Sequence, residues 1–216
     1  MNYDDPSTVK NLIIQLNFEC AAGWQLGLVG SLFLVGIVVG CSFVTKWGDI
    51  YGRRPVYAAG LFMNALFVFI VCLNKKVIAF TYLSLFMLGI SITARYYVGY
   101  TYNVEFQLRR DKVIVSTVQF MMESVVYLLD IVYFLYISKE WVWLQIPNII
   151  LCIVGVCWVI ALPETPHWLL AKKRYDEARL VFQKMHRWNG APNPQVWDSV
   201  VFEQEALEIE NPDLIA

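Results

Sequence analysis

Two carboxylates lie inside an apolar run of the sequence, where an ionised side chain is costly. Glu123 and Asp130 are seven residues apart, which is two helical turns, so they share one helix face with Gln119 and Tyr127. Because lipid solvates charge poorly, this face must point towards protein or water. A carboxylate in a water-filled cavity attracts a cation, and a tyrosine ring adds a cation–π contact. The face therefore predicts a path for a cationic solute.

A second polar stripe lies on the preceding apolar run. Arg95 is its charged member, and Tyr96 and Tyr100 lie close to it in the sequence. Its other members are Ser84, Ser91 and Tyr102. One interpretation is that the two stripes line an aqueous cavity with tyrosine rings in its wall. The alternative is that Arg95 simply neutralises one of the two carboxylates between neighbouring helices.

The residue types that enzymes combine in their sites form no recognisable pattern here. The sequence has no nucleophile–base set, no phosphate-binding glycine loop and no metal-ligand spacing. The cysteines show neither a disulfide pattern nor a metal-binding pattern. His167 and His186 lie in a polar segment, where surface positions are expected. We therefore expect neither catalysis nor a cofactor.

The composition predicts an all-α membrane protein. Of the 216 residues, 58% are hydrophobic and only 16% are charged, and the apolar residues fall in blocks. The formal net charge of −1 gives no reason to expect nucleic acid as a partner. The partner that this composition requires is the lipid bilayer.

The apolar blocks predict about five membrane-spanning helices. The third block is too long for one level span, and Arg95 lies well inside it. Glycines recur in the first block, and we interpret them as packing positions, with a substrate path as the alternative. The predicted spans are Trp24–Val44, Val56–Leu73, Val77–Phe106, Val113–Ile137 and Trp143–Leu162.

The flanking basic residues predict the orientation of the spans, because cytoplasmic loops are enriched in lysine and arginine. One side carries Arg53, Arg54, Arg109, Arg110, Lys112 and the cluster 172–174, whereas the other has Lys10, Lys75, Lys76 and Lys139. The richer side is predicted to be cytoplasmic. The predicted order is an extracellular lead-in (1–20), a transmembrane domain (21–162), a cytoplasmic amphipathic segment (163–190) and a solvated, mobile acidic tail (191–216).

The tight link between the first two spans carries a specific pattern of charges. It contains Asp49, a helix-permissive Gly52, and the adjacent Arg53 and Arg54. This pattern resembles the cytoplasmic loop between helices 2 and 3 of major facilitator superfamily transporters, approximately G-x-x-x-D-x-x-G-R-R/K. The leading glycine of that pattern is replaced here by Thr45.

Three further stretches narrow the resemblance to one branch of the superfamily. Residues 163–170 (PETPHWLL) resemble the P-E-S-P-R-W-L segment that follows helix 6 in sugar porters and organic-ion transporters. Residues 141–145 (WVWLQ) and the pair Gly99-Tyr100 with Glu105-Phe106 resemble organic cation and anion transporters. In that frame the five spans correspond to helices 2 to 6. The resemblance implies a cytoplasmic gating network of Asp49, Gly52, Arg53, Arg54, Glu105, Arg110 and Glu164.

The resemblance implies a secondary transporter for small organic ions, or part of one, that works by alternating access. Because such transporters bind substrate between two six-helix halves, another chain or a larger membrane complex would have to supply the remaining helices. The plasma membrane is the location that this family implies. The family pattern is lost at Leu85, Val142 and His167, where it has arginine. The alternative is therefore a transport-inactive structural subunit derived from a transporter.

Overall fold

The computed structural model describes residues 10–16, 18, 21–74, 77–190 and 192–210. Five of its helices are long and apolar enough to cross a membrane, which confirms the predicted number of spans. We call them the first to the fifth span in chain order. They are Gly23–Tyr51, Arg53–Leu73, Ile78–Glu105, Lys112–Ile137 and Trp141–Ala161.

A single residue separates the first span from the second. Gly52 has φ +108, a backbone conformation that residues with a Cβ rarely adopt, so it ends one helix and allows the next to begin at Arg53. A Cβ at this position would also collide with the carboxylate of Glu164. Gly52 is therefore where the chain reverses direction, within the tight link that the sequence predicted between the first two spans.

The third span is continuous over the long apolar block that the sequence predicted. Its 28 residues correspond to about 42 Å of helix, more than the roughly 30 Å of a hydrocarbon core, so it must tilt or project from the bilayer. A π-helical turn at Ala94–Val98 interrupts its regular winding. Such turns widen a helix locally and often occur at functional sites.

The first and third spans pack closely where glycines face each other. A Cβ on Gly36 would lie 3.0 Å from the Gly89 Cα, and a Cβ on Gly89 would lie 2.9 Å from the Gly36 Cα. Each would also collide with a backbone carbonyl of the opposite helix, at Phe86 or Phe33. Gly30, in contrast, has nothing within 4 Å of its Cβ direction. Gly36 is thus a packing position, as predicted for the glycines of this span, whereas Gly30 makes no such contact.

Gly36→Ala is expected to lower the free energy of unfolding by about 1 to 3 kcal/mol, because the new methyl group meets backbone atoms that cannot rotate away. The matched control is Gly30→Ala, which adds the same methyl group to the same helix in open space. Both would be unfolded in detergent by titration with sodium dodecyl sulfate and followed by circular dichroism. Equal stability of the two variants would contradict this close packing.

The fourth span is the least enclosed of the five. None of its residues is buried, and apolar side chains such as Met121, Leu128 and Leu135 are exposed along its length. By comparison, the second and fifth spans share a buried cluster of Leu61 and Ala65 with Cys152 and Val159. The faces of the fourth span are therefore available to lipid or to another helix.

The lead-in packs against the ends of the spans on the predicted extracellular side. Gln15, in the short helix Leu12–Gln15, donates to the carbonyl oxygens of Val71, Cys72 and Asn74 at 3.3, 3.2 and 3.0 Å. Lys10 forms an ion pair with Glu140 at 3.0 Å. The hydrogen bond from Lys10 lowers the pKa of the Glu140 carboxyl. Residues 1–9 of the predicted lead-in lie outside the described residues.

The segment after the fifth span forms the short helix Pro166–Ala171 and the amphipathic helix Tyr175–Trp188. A 3₁₀ turn at Pro194–Ser199 and a helix at Glu203–Glu210 follow. Arg179 donates to Glu205 at 2.6 Å, and this hydrogen bond lowers the pKa of the Glu205 carboxyl. This ion pair connects the helix Glu203–Glu210 to the amphipathic helix, and the mobility of the tail stays a prediction.

Candidate functional site

A hydrogen-bonded cluster joins the third and fourth spans around Glu123. The hydroxyl of Tyr96 donates to Glu123 Oε2 at 2.6 Å, and the hydroxyl of Tyr127 donates to Oε1 at 3.4 Å. Both carboxylate oxygens are therefore engaged by tyrosines. We call Tyr96, Glu123 and Tyr127 the tyrosine–carboxylate cluster.

The local backbone explains how Tyr96 reaches across to the fourth span. Tyr96 lies within the π-helical turn Ala94–Val98, which inserts one residue into the winding of the third span and changes the direction of its side chains. Tyr127 follows Glu123 by four residues, so the two side chains lie on the same face of the fourth span. A π-helical turn has no simple sequence signature, which is why the sequence did not single out Tyr96 as the partner.

A second contact between the same two spans lies one turn away. The Tyr100 and Ser116 hydroxyls are hydrogen-bonded at 3.0 Å, and the ring of Tyr100 lies 6.0 Å from that of Phe120. The side-chain oxygen of Gln119 is buried and has no hydrogen-bond partner among the described residues. An amide oxygen without a partner can accept a hydrogen bond from a solute or from water.

The structure does not bring the other predicted path residues into this cluster. Arg95 is half-buried, and it forms no ion pair with any carboxylate that the structure describes, so the alternative of a neutralising pair has no support. Asp130 is also half-buried, and its side chain has no hydrogen bond or ion pair within the described chain. The cluster thus contains one of the two predicted carboxylates.

Three residues predicted to line a cavity are instead enclosed by packing. Ser84 and Ser91 are 2% and 0% exposed, and Tyr102 is 2% exposed. Tyr102 donates to the carbonyl oxygen of Pro163 at 2.7 Å, which ties the end of the third span to the segment after the fifth. The prediction that these three line an open cavity is wrong, because the helix turns them towards its neighbours.

A charged network lies at the predicted cytoplasmic ends of the spans. Arg53 contacts Glu105 at 2.9 Å and Asp49 at 3.1 Å, so its guanidinium joins the first three spans. The Glu105 side chain is only 9% exposed, whereas that of Asp49 is 65% exposed. The pair with Glu105 is therefore the shielded contact of this network.

Glu164 completes the network in a way that a charge pattern does not predict. Its carboxylate accepts hydrogen bonds from the backbone N–H groups of Arg53 and Arg54 at 3.2 and 3.1 Å. These amides begin the second span, where the helix leaves its first N–H groups without partners and its dipole favours a negative charge. The Arg54 guanidinium donates to the carbonyl oxygen of Ile160. Glu164 thus caps the second span from the segment after the fifth.

Some residues singled out in the sequence stand apart from the network. Arg110 is exposed and makes no ion pair with the described residues, and His167 is exposed as well. Trp168, which charge considerations could not identify, donates from its ring nitrogen to the carbonyl oxygen of Asp49 at 3.0 Å. The indole therefore adds a second link between the first loop and the segment after the fifth span.

Comparison with known proteins decides the family. The sequence profile of the sugar (and other) transporter family matches residues 7–210. The chain belongs to this family. As a member of the sugar (and other) transporter family, within the major facilitator superfamily, it is an integral membrane protein related to transporters, as the sequence motifs indicated.

Several curated relatives are named as organic cation or organic cation/carnitine transporters, and others as members of solute carrier family 22. The chain is 24% identical to the organic cation transporter protein of Drosophila melanogaster over 93% of its own length and 36% of that protein. It is 26% identical to human organic cation/carnitine transporter 2, over 93% of the chain and 35% of that protein. It is 30% identical to human solute carrier family 22 member 16, over 88% and 32%. The chain spans about a third of the length of these relatives.

Proposed function

We propose that this chain supplies part of a secondary transporter for small organic cations, with the tyrosine–carboxylate cluster as its contribution to the cation site. The observation that carries the proposal is the contact of Tyr96 with Glu123 at 2.6 Å, between the third and fourth spans. A carboxylate attracts a cation, and the tyrosine rings beside it present negative faces to the same charge. Relatives named as organic cation transporters support this choice of substrate class.

Glu123 is suited to exchange its partners for a solute. It is half-buried, and tyrosine hydroxyls rather than a fixed cation occupy its oxygens. A neutral donor leaves the negative charge of the carboxylate uncompensated, so an arriving cation gains the full attraction. The nearby Gln119 oxygen, which has no partner among the described residues, adds a polar contact. The negative charge of Glu123 is the reason why we propose a cation rather than an anion as the substrate.

The charged network at the predicted cytoplasmic ends supplies the gate in this proposal. Arg53, Glu105 and Glu164 join three separate parts of the chain, the start of the second span, the end of the third and the segment after the fifth. Contacts of this kind hold helices together in one state and must separate or slide in another, as alternating access requires. The remaining helices of the transporter come from another chain or from further sequence.

Equilibrium binding of radiolabelled tetraethylammonium tests the proposal. The protein is extracted from its native membrane in mild detergent, together with every chain that stays bound. We expect saturable binding of tetraethylammonium, and we expect that the organic anion benzoate does not displace it. Absence of saturable binding, or equal competition by benzoate, would contradict a cation site.

A second candidate function is that of a structural subunit in a larger membrane assembly. It is favoured by the fourth span, in which no residue is buried, since an exposed apolar helix provides a large surface for another membrane protein. The loss of family arginines at Val142 and His167 fits this reading. In such a subunit the tyrosine–carboxylate cluster would serve packing alone.

A further inference from the structure

A cleft of about 570 Å³ lies on the predicted cytoplasmic side, between the ends of the spans and the segment after the fifth. The end of the third span and the loop after it form one wall, and the amphipathic helix Tyr175–Trp188 forms the other. None of its described lining residues belongs to the tyrosine–carboxylate cluster or to the charged network. Its volume is within the range of small-molecule sites, so the chemistry of its walls decides what it can hold.

Aromatic rings make up a large part of this lining. They belong to five of the thirteen described lining residues, and both walls contribute them. These five are Tyr102, Phe106, Phe182, Trp188 and Trp197. The face of an aromatic ring is negative and attracts a cation that comes within about 6 Å of its centre. Rings on both walls therefore favour a ligand that combines apolar surface with a positive charge.

Contacts between neighbours hold these rings in place. Trp197 stacks on Phe182 with ring centroids 4.7 Å apart and an interplanar angle of 13°, and Phe106 meets Tyr102 edge to face at 5.1 Å. His186, which also lines the cleft, accepts a hydrogen bond from the Trp197 ring nitrogen at 3.4 Å. An imidazole that accepts a hydrogen bond is neutral. The walls are thus formed before a ligand arrives, and His186 adds no positive charge to them.

The one charge among the described lining residues is negative. Asp111 is half-buried, and its carboxylate has no hydrogen bond or ion pair with the described residues. An aspartate directly before a helix usually caps it, yet the side chain of Asp111 makes no such hydrogen bond to the fourth span. A carboxylate without a partner beside apolar surface attracts a cation and repels an anion.

The basic residues next to Asp111 in the sequence do not line the cleft. Arg109 and Arg110 are exposed, and neither they nor Lys112 is among the described lining residues. Exposed charges are screened by water and salt and act weakly beyond direct contact. Asp111 therefore determines the sign of the charge that the cleft accepts.

Trp188 shows that a ring at the mouth of the cleft is accessible to an ammonium group. It is 56% exposed, and Lys184 Nζ lies 4.9 Å from the centroid of its ring. Lys184 itself is not among the described lining residues. Because an indole has two faces, a ligand can contact the one that Lys184 does not cover.

We propose that this cleft binds a small aromatic quaternary ammonium ion, at a site distinct from the tyrosine–carboxylate cluster. The ammonium group lies beside Asp111 against the ring faces, and the apolar group of the ligand packs on Phe182 and Met185. The site does not depend on the proposed transport function, because it lies at the ends of the spans and not between them. The bound ion links the loop after the third span to the amphipathic helix.

The test is equilibrium dialysis of radiolabelled benzyltrimethylammonium against the protein, extracted in dodecyl maltoside with every chain that stays bound. All variants carry Glu123→Gln, so that the tyrosine–carboxylate cluster does not contribute a second carboxylate site. We expect saturable binding in this background. Adding Asp111→Asn is expected to weaken it by about fivefold or more, because the charge that attracts the ion is lost. Absence of saturable binding in the Glu123→Gln background would overturn this proposal and leave the cation site of the proposed function intact.

A pair of substitutions at Trp188 tests the role of the rings. Trp188→Leu keeps apolar surface but removes the ring, and it is expected to weaken binding by about twofold to fivefold. Trp188→Phe keeps a ring and is expected to change binding by less than about twofold. Because Trp188 is exposed, both variants are expected to fold normally. Equal binding by the leucine and phenylalanine variants, or equal losses, would overturn the role of the ring faces.

The matched control for Asp111→Asn is Asp176→Asn. The Asp176 side chain is 97% exposed on the amphipathic helix and is not among the described lining residues. Its loss is expected to change binding by less than about twofold, since exposed charges act weakly. Equal weakening by the two variants would reduce the effect to general surface charge and overturn the proposal.

Three competitors identify the ligand chemistry. Benzyl alcohol keeps the ring without the charge, benzenesulfonate reverses the charge, and phosphatidylcholine carries the ammonium group on a lipid. We expect that none of them displaces the probe at equal concentration. Displacement by benzyl alcohol or benzenesulfonate would show that the cleft does not select a cation. Displacement by phosphatidylcholine would assign the cleft to a lipid headgroup, and either result would overturn the proposal.

Discussion

Glu123→Gln is expected to lower the affinity for tetraethylammonium by about tenfold to a hundredfold, the usual value of a hydrogen bond or contact with a charged group. The amide has nearly the shape of the carboxylate, and its oxygen can still accept from Tyr96, so the two spans keep their contact. What is removed is the negative charge that the cation requires. The measurement is equilibrium binding of radiolabelled tetraethylammonium in detergent.

Asp130→Asn is the matched control for this substitution. It removes the same charge from the same helix, two turns away, at a carboxylate without a partner among the described residues. We expect a change of no more than about threefold, since a screened charge acts weakly at a distance. If the two variants bind equally well, Glu123 is not the cation ligand and the cluster serves packing.

Glu105→Ala is expected to lower the free energy of unfolding by about 3 to 5 kcal/mol, because it leaves a shielded arginine without its main counter-charge. The Arg53 and Glu105 side chains are 19% and 9% exposed, and their charged atoms lie 2.9 Å apart. The remaining partner, Asp49, is 65% exposed and cannot replace this contact. Titration with sodium dodecyl sulfate, followed by circular dichroism, measures the loss.

Asp49→Ala provides the comparison, since it removes the other carboxylate of the same arginine. An exposed ion pair contributes about 0 to 1 kcal/mol, so this variant is expected to be nearly as stable as the original. Equal losses in the two variants would show that burial does not distinguish the two contacts. The contribution of the network to the free energy of unfolding would then depend on its total charge alone.

The positions of the spans could be predicted from the sequence because they depend on one quantity, the length of each apolar run. Five helices form where five runs were found, and even the long third run is continuous from Ile78 to Glu105. The short links follow from the same pattern. Within lipid, a helix is the simplest structure that hydrogen-bonds its own backbone N–H and C=O groups. Hydropathy therefore predicts this part of the fold.

The contacts of individual side chains depend on helix rotation, which hydropathy does not fix. Glu123 and Tyr127 lie on one helix face, as the sequence predicted. The residue of the third span that contacts Glu123 is Tyr96, which lies in the π-helical turn, and not Arg95. Tyr102 lies on the predicted stripe but is buried against the segment after the fifth span. One additional residue in a helical turn is enough to change which side chains face the next helix.

The network at the predicted cytoplasmic ends depends on backbone groups that no charge pattern represents. Glu164 is held by the N–H groups of Arg53 and Arg54 rather than by a guanidinium, and the positive φ of Gly52 brings those groups within reach. The sequence could predict which charges belong to this region through a family resemblance. It could not predict that a helix N-terminus would be one of the partners.

Whether this chain functions as part of a transporter depends on which helices accompany it in its native membrane. The measurement is the intact mass of the native species in mild detergent, with the identity of every chain that accompanies it. We expect a single longer polypeptide, or a stable pair, that supplies the further transporter helices beside these five. A 24.9 kDa chain held at fixed stoichiometry in a large assembly without such helices would contradict it.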